Sequence, residues 1–145
     1  GTRISPTEIW ESRNPWLVNK IELAKDSCGA GKYRGGLGLN LEFEMLEETY
    51  VTTVVERTNF PPWGVNNGKA ARSNNVILNT KNGKLNVPKK TGLKLNKGES
   101  IIFKTGGGGG YGNPIERSNK KILNDLKQEY ISKEYVEKHY PQFKS

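Results

Sequence analysis

Few residues in this sequence could carry out a reaction, and they are poorly placed for one. Cys28 is the only cysteine and His139 the only histidine, and they stand at opposite ends of the chain. A nucleophilic thiol needs an adjacent base or other activating surroundings. A zinc site needs three or four close Cys, His or carboxylate ligands. Cys28 therefore reads as a small residue in a turn, and no metal set can be assembled from the spacing. Glu42 and Glu44 make one close carboxylate pair, and Glu47 and Glu48 another. The first pair falls on the outer face of a strand pattern and the second in a turn, so solvation explains both.

The feature that stands out is Thr105–Asn113, which reads Thr-Gly-Gly-Gly-Gly-Gly-Tyr-Gly-Asn. Ordering consecutive glycines is costly, and they suit positions of positive φ or of very close backbone approach. Gly107 to Gly112 formally satisfies G-x-G-x-x-G. The dinucleotide fingerprint also requires the opening strand–turn–helix of an α/β unit and an acidic residue about 20 positions later. Here a sheet precedes the run and helices follow it, and there is no phosphate-binding lysine followed by Ser or Thr. An anion site made of successive N–H groups at a helix start stays open. Tyr33, Arg34, Arg57 and Trp63 fall in or beside other loops. With Gly107, Gly108, Gly109, Gly110 and Tyr111 they form the candidate interface or substrate-proximal set, since contact residues concentrate on loops of rigid scaffolds. Trp63, held behind two prolines, suits an interface anchor, and closing one end of a barrel explains it equally well. No catalytic residue is expected.

The elements that must position these loops are mostly short strands. Ser5-Pro6-Thr7-Glu8 predicts a helix start, with Ser5 capping and Pro6 first, ended by Asn14-Pro15. Alternation predicts strands at residues 20–24 and 37–45, the latter with Leu37, Leu39, Leu41, Phe43 and Met45 on one face. A β-branched strand over 50–58 is expected to pair with it. Asn82-Gly83 marks a hairpin between residues 76–78 and 84–87, and Lys97-Gly98 a second one between 93–95 and 101–103. Asn113-Pro114-Ile115-Glu116 repeats the helix-start chemistry, and Ser132 begins a last helix ended by Pro141. The expectation is one domain over residues 1–145 in a mainly β (α+β) class. It is a small antiparallel sandwich or barrel, with strands within 20–105, the glycine loop at 105–113 and a C-terminal helical pair within 114–141.

Composition agrees with a loop-rich β domain: 33% of residues are hydrophobic and 17 are glycine. The net charge of +8 invites a nucleic-acid partner. The lysines, however, are spread over turns (Lys81, Lys84, Lys89, Lys90, Lys94, Lys97) and C-terminal helices among acidic residues. Nucleic acid is therefore not the expected partner, and an acidic protein surface fits as well. No apolar run reaches membrane-span length, and the opening residues lack the apolar core of a signal peptide. With a single cysteine, this points to a cytoplasmic setting. Gly1 in place of an initiator methionine suggests a tag remnant or a piece of a longer protein.

Three segments in order carry a family pattern: Asp26-Ser27-Cys28-Gly29-Ala30-Gly31-Lys32-Tyr33-Arg34-Gly35-Gly36, Phe60-Pro61-Pro62-Trp63-Gly64, and Gly107 through Pro114. With Pro6–Glu11 and Tyr130–Glu134 they resemble the C-terminal part of the hydantoinase B/oxoprolinase family. That family includes ATP-dependent N-methylhydantoinases, 5-oxoprolinases and the large subunits of acetone and acetophenone carboxylases. The chain departs from the pattern at Cys28 (usually Gly), Gly106 (usually Pro) and Asn113 (usually Asp), which leaves loop-specific contacts open. The resemblance implies a parent enzyme that uses ATP and a divalent metal. Its metal and substrate residues would lie mainly in an N-terminal portion of the hydantoinase B-type subunit. ATP would be handled by a hydantoinase A-type partner. This chain, a C-terminal fragment or split subunit, would bind no cofactor and contribute packing and subunit contacts. The rival expectation is a free-standing β module that holds an anion or RNA on its basic surface.

Overall fold

The computed structural model describes residues 4–144, so the expectations attached to Gly1 lie outside the described residues. In order the elements are α1 (Thr7–Arg13), β1 (Trp16–Leu23), β2 (Leu39–Met45), β3 (Thr49–Val54), β4 (Asn75–Thr80), β5 (Gly83–Asn86), β6 (Lys89–Leu95), β7 (Ser100–Lys104), a 3-10 turn (Pro114–Glu116), α2 (Asn119–Lys127) and α3 (Lys133–His139). The mainly β, α+β class is as expected. One sheet has the strand order β1-β2-β7-β4-β5, and β3 and β6 form a separate ribbon. Both sheets are open, and no barrel closes among the described residues.

The chain forms two compact units, each assembled from three separate stretches. The first takes the described residues through Glu22, then Asn40–Glu56 and Asn75–Phe103. Its core joins Phe43, Met45, Val76, Leu78 and Ile101 of the sheet to Leu95 of the ribbon. Phe43 and Met45 are buried as the alternation predicts. The aromatic rings of Trp10 and Phe43 meet edge-on at 5.2 Å, which seats α1 on the sheet.

Two strand pairings differ from expectation. The strand at 49–54 does not pair with β2, whose neighbours are β1 and β7. Instead β3 runs antiparallel to β6, Tyr50 opposite Lys94, with a bulge between Val51 and Thr53. The Lys97-Gly98 turn forms, with Gly98 at φ +82, yet it links strands of different sheets. Gly98 N–H donates to Met45 O (2.8 Å), and the Glu99 carboxylate accepts Asn96 N–H (2.8 Å) and Lys81 N–H (3.1 Å). Those side-chain and long-range bonds take the place of a hairpin ladder. The Asn82-Gly83 hairpin forms as predicted, with Thr80 opposite Gly83. Pro6, and not Ser5, occupies the N-cap position of α1, without a side-chain cap bond. Several lysines placed in turns lie on β5 and β6, where Lys94 and Lys89 pair with Glu48 and Glu56.

The second unit comprises Leu23–Leu39, Arg57–Asn74 and the described residues from Lys104 onward. Here α2 and α3 press Ile122, Tyr135, Val136 and Tyr140 against Cys28 and Ala30. Leu37, expected on β2, packs against this cluster instead. Asn113 accepts Ile115 N–H as a cap, but opens only a 3-10 turn. The Ser132 hydroxyl caps α3 by accepting Tyr135 N–H (3.0 Å). No described helix is long and apolar enough to cross a membrane.

Candidate functional site

The glycine run lies between two other loops of the second unit and is hydrogen-bonded to both. Gly107 N–H donates to Ser27 O (3.2 Å) and Gly108 N–H to Gly36 O (2.9 Å), while Gly29 N–H donates to Gly108 O (2.8 Å). On the other side Gly110 N–H donates to Lys69 O (3.0 Å) and Val65 N–H to Gly110 O (2.9 Å). Such close backbone-to-backbone approach is what the glycines permit. A Cβ on Gly109 would overlap the Trp63 carbonyl, and one on Gly35 would overlap the Gly108 carbonyl. The run is thus a packed junction of three loops. Its amides at Gly107, Gly108 and Gly110 are spent on carbonyls, so the successive N–H groups do not form an anion cradle.

The ends of this junction present aromatic side chains to solvent. Tyr33 and Tyr111 form an antiparallel bridge, and Val65 bridges Tyr111 in parallel. The two tyrosine rings lie 6.4 Å apart, and both are about half exposed. Asn66 Nδ2 donates to Tyr111 Oη (2.8 Å), and Lys121 Nζ sits 4.8 Å from the Tyr33 ring centroid. Trp63, 68% exposed, carries the Arg57 guanidinium 5.0 Å from its ring centroid. Trp63 therefore projects outward and plugs no barrel end.

Arg34 has turned inward. Its Nε lies 3.0 Å from Asp125 Oδ1 without hydrogen-bond geometry, its Nη1 donates to Gly35 O (2.9 Å), and it covers the Tyr130 ring at 5.1 Å. Arg117 Nη2 donates to the other Asp125 oxygen (2.6 Å), and its Nη1 donates to Lys32 O (3.1 Å). Asp125 and Arg117 are buried. This Arg-Asp-Arg group clamps α2 to the Cys28–Gly36 loop. Sequence reading missed Arg117 and Asp125. One signal for Asp125 was present, since it stands three positions after buried Ile122 and so shares its helix face.

Cys28 is buried, and burial pushes its thiol pKa up, with the Tyr135 hydroxyl opposing more weakly. Tyr135 Oη donates to Cys28 O (2.8 Å) and is itself driven upward by burial. His139 is lowered by burial, then by Lys138 and Lys69, and it stacks beside Tyr135 at 4.5 Å. Among the described residues no three His, Cys, Asp or Glu side chains gather to hold a metal. The described residues therefore offer no donor set that fits a divalent metal.

Residues 1–114 match the family model described as hydantoinase B/oxoprolinase. The chain belongs to the hydantoinase B/oxoprolinase family. It is 38% identical over 128 residues to an uncharacterised protein of Methanocaldococcus jannaschii, covering 88% of this chain and 23% of that protein. A Pseudomonas protein named for the B-type component of a D-/L-hydantoinase is 33% identical over 137 residues, covering 92% of this chain and 23% of that protein. Against the beta chain of the Pseudomonas jessenii caprolactamase it is 35% identical over 138 residues, covering 86% and 22%. The crystal structure of the ATP-dependent caprolactamase from Pseudomonas jessenii superposes with a TM-score of 0.82 at 27% identity, covering 90% of this chain and 24% of that one. Acetone carboxylase in its nucleotide-free form shares the fold, with a TM-score of 0.75 at 16% identity over 95% of this chain and 23% of that one. The chain thus spans under a quarter of the length of these relatives.

Proposed function

We propose that this chain serves as the C-terminal portion, or a split subunit, of an ATP-dependent enzyme that opens a cyclic amide or carboxylates a ketone. Its part is to dock and shape, and the reacting groups belong to the N-terminal portion of a hydantoinase B-type subunit and to a hydantoinase A-type partner. The observation carrying this reading is the glycine-locked junction that holds Trp63, Tyr33 and Tyr111 out toward solvent on rigid backbone. Exposed aromatics on a rigid support are typical interface anchors. The relatives named as components of a hydantoinase and a caprolactamase support a multi-subunit setting.

The test is co-purification of the chain with the N-terminal portion and the A-type partner across a range of salt. Association that weakens only moderately at high salt is expected, because exposed Phe60, Trp63, Tyr33 and Tyr111 supply apolar area that salt does not screen. Failure to associate under every salt condition would refute the docking role, and turnover of a hydantoin, oxoproline or ketone by the chain alone would refute the division of labour. The basic-module alternative predicts instead a steep loss of RNA or anion binding with salt.

A further inference from the structure

Building on that docking role, the geometry points to the chemistry of the partner: the hollow between Arg57 and Trp63 receives a carboxylate side chain from an acidic segment of a partner protein. The hollow, about 380 Å3, is walled by Arg57, Pro62, Trp63, Gly107 and Gly108. The two glycines bring no side chain that could fill it. Arg57 sits at φ +54, a left-handed conformation that non-glycine residues adopt at a cost and that concentrates at functional positions. Its carbonyl accepts Asn74 N–H at 3.1 Å, which ties the residue to the segment opposite. The guanidinium carbon lies over the Trp63 ring, 5.0 Å from its centroid. A cation-π contact uses none of the guanidinium N–H groups as hydrogen-bond donors to a carboxylate, so they remain for planar, bidentate recognition of one.

The other arginines of this unit are committed elsewhere: Arg34 and Arg117 to Asp125, and Arg72 to the Thr105 carbonyl. Among the described residues Arg57 forms no ion pair. Glu56, next to it in the chain, is engaged by Lys89 at 2.6 Å. The charge is also unevenly divided. In the first unit nine Lys and Arg face nine Asp and Glu, while the second holds fourteen against six, so the whole +8 belongs to the unit with the hollow. A field of that sign attracts acidic segments and speeds their encounter. Phe60, 82% exposed, adds apolar area. A single strand of RNA is held by successive aromatic faces along a basic groove, whereas the hollow sets one arginine beside one ring, a fit for a single carboxylate. That favours a carboxylate over a base.

The test is titration of the full chain, followed by the indole N–H resonances of its three tryptophans, with Trp63 assigned through Trp63→Phe. Tetraglutamate should shift the Trp63 resonance, and tetralysine should not. Arg57→Gln should weaken tetraglutamate at least tenfold, about the value of a charge-assisted hydrogen bond. Arg57→Gly, which accepts positive φ without strain, should lose the peptide to the same degree and keep the fold. An unmoved Trp63 resonance overturns the assignment. So does equal affinity in Arg57→Gln, or tighter binding of an oligouridine than of tetraglutamate. If tetraglutamate fails while the unaltered chain still co-purifies with its partners, the carboxylate assignment falls and the docking role stands. If co-purification itself fails, the docking role falls first.

Discussion

Replacing Gly109 with alanine separates a packing role of the glycine run from a role as a flexible loop. The added methyl would overlap the Trp63 carbonyl group and press on Gly64 N. Neither neighbour can retreat freely. Ala71 N–H holds the Pro62 carbonyl at 2.9 Å on one side, and Val65 N–H holds the Gly110 carbonyl at 2.9 Å on the other. Overpacking by a methylene costs about 1–3 kcal/mol where side chains can shift. The obstacle here is backbone, so the expected cost lies at the upper end, about 3 kcal/mol. For a chain of this size that lowers Tm by roughly 6–12 °C.

Gly36→Ala is the matched control. A Cβ there meets no heavy atom within 4 Å, and Gly36 is not among the glycines at positive φ. The substitution should be neutral, or should stabilise by up to about 1 kcal/mol through the unfolded chain's lost freedom. Urea unfolding followed by tryptophan fluorescence, with both variants and the unaltered chain side by side, reads the difference. If Gly109→Ala unfolds at the same midpoint as the unaltered chain, the packed-junction argument is wrong. If Gly36→Ala loses as much as Gly109→Ala, glycine content matters and the particular contacts do not.

Three further outcomes are expected. Asp125→Ala leaves Arg117 charged and buried without its carboxylate, and should cost about 3–5 kcal/mol in urea unfolding; adding Arg117→Met should recover much of that loss. The Cys28 thiol, buried and raised in pKa, should react with iodoacetamide only as fast as the chain opens, and rapidly in urea. Glu99 is held below the ordinary carboxylate value near 4.5 by the Asn96 and Lys81 backbone amides. Its contribution is therefore present above that value and is lost as pH falls through the lower folded pKa. Glu99→Gln should be less stable than the unaltered chain at pH 7, with the gap closing in melts below about pH 4.5.

What the sequence disclosed divides along the range of the interactions involved. Asn82-Gly83 specifies its hairpin within a few residues, and Ser132 caps α3 through Tyr135 N–H three positions on. Phe43 and Met45 announce a buried face by alternation alone. Pairing partners are not written that way. The separation of β6 from β7 depends on Gly98 reaching Met45 and on Glu99 gathering the nearby Asn96 amide together with that of Lys81, 18 positions away. The grouping of three separate stretches into each unit has no local signature at all. The same limit applies to Tyr33, Arg34, Arg57, Trp63 and Tyr111. Their loop positions were legible, but the inward turn of Arg34 onto Asp125 and the placement of Arg57 over Trp63 depend on what lies opposite.

The glycine run takes one of the two roles its composition suggests, close backbone approach, and none of its five consecutive glycines stands at positive φ. Taken alone, five glycines allow either role. Set between the Ser27–Gly36 and Pro62–Lys69 segments, they serve the approach. Without a Cβ the three backbones can approach closely enough to exchange hydrogen bonds, and those bonds consume the amides a phosphate would need. The entropy cost of ordering glycine is met once, on folding, and leaves a rigid floor under Trp63 and Tyr111. Rigidity lowers the ordering cost of association. A glycine-rich segment that binds nothing itself can therefore still set the affinity of the aromatic groups it supports.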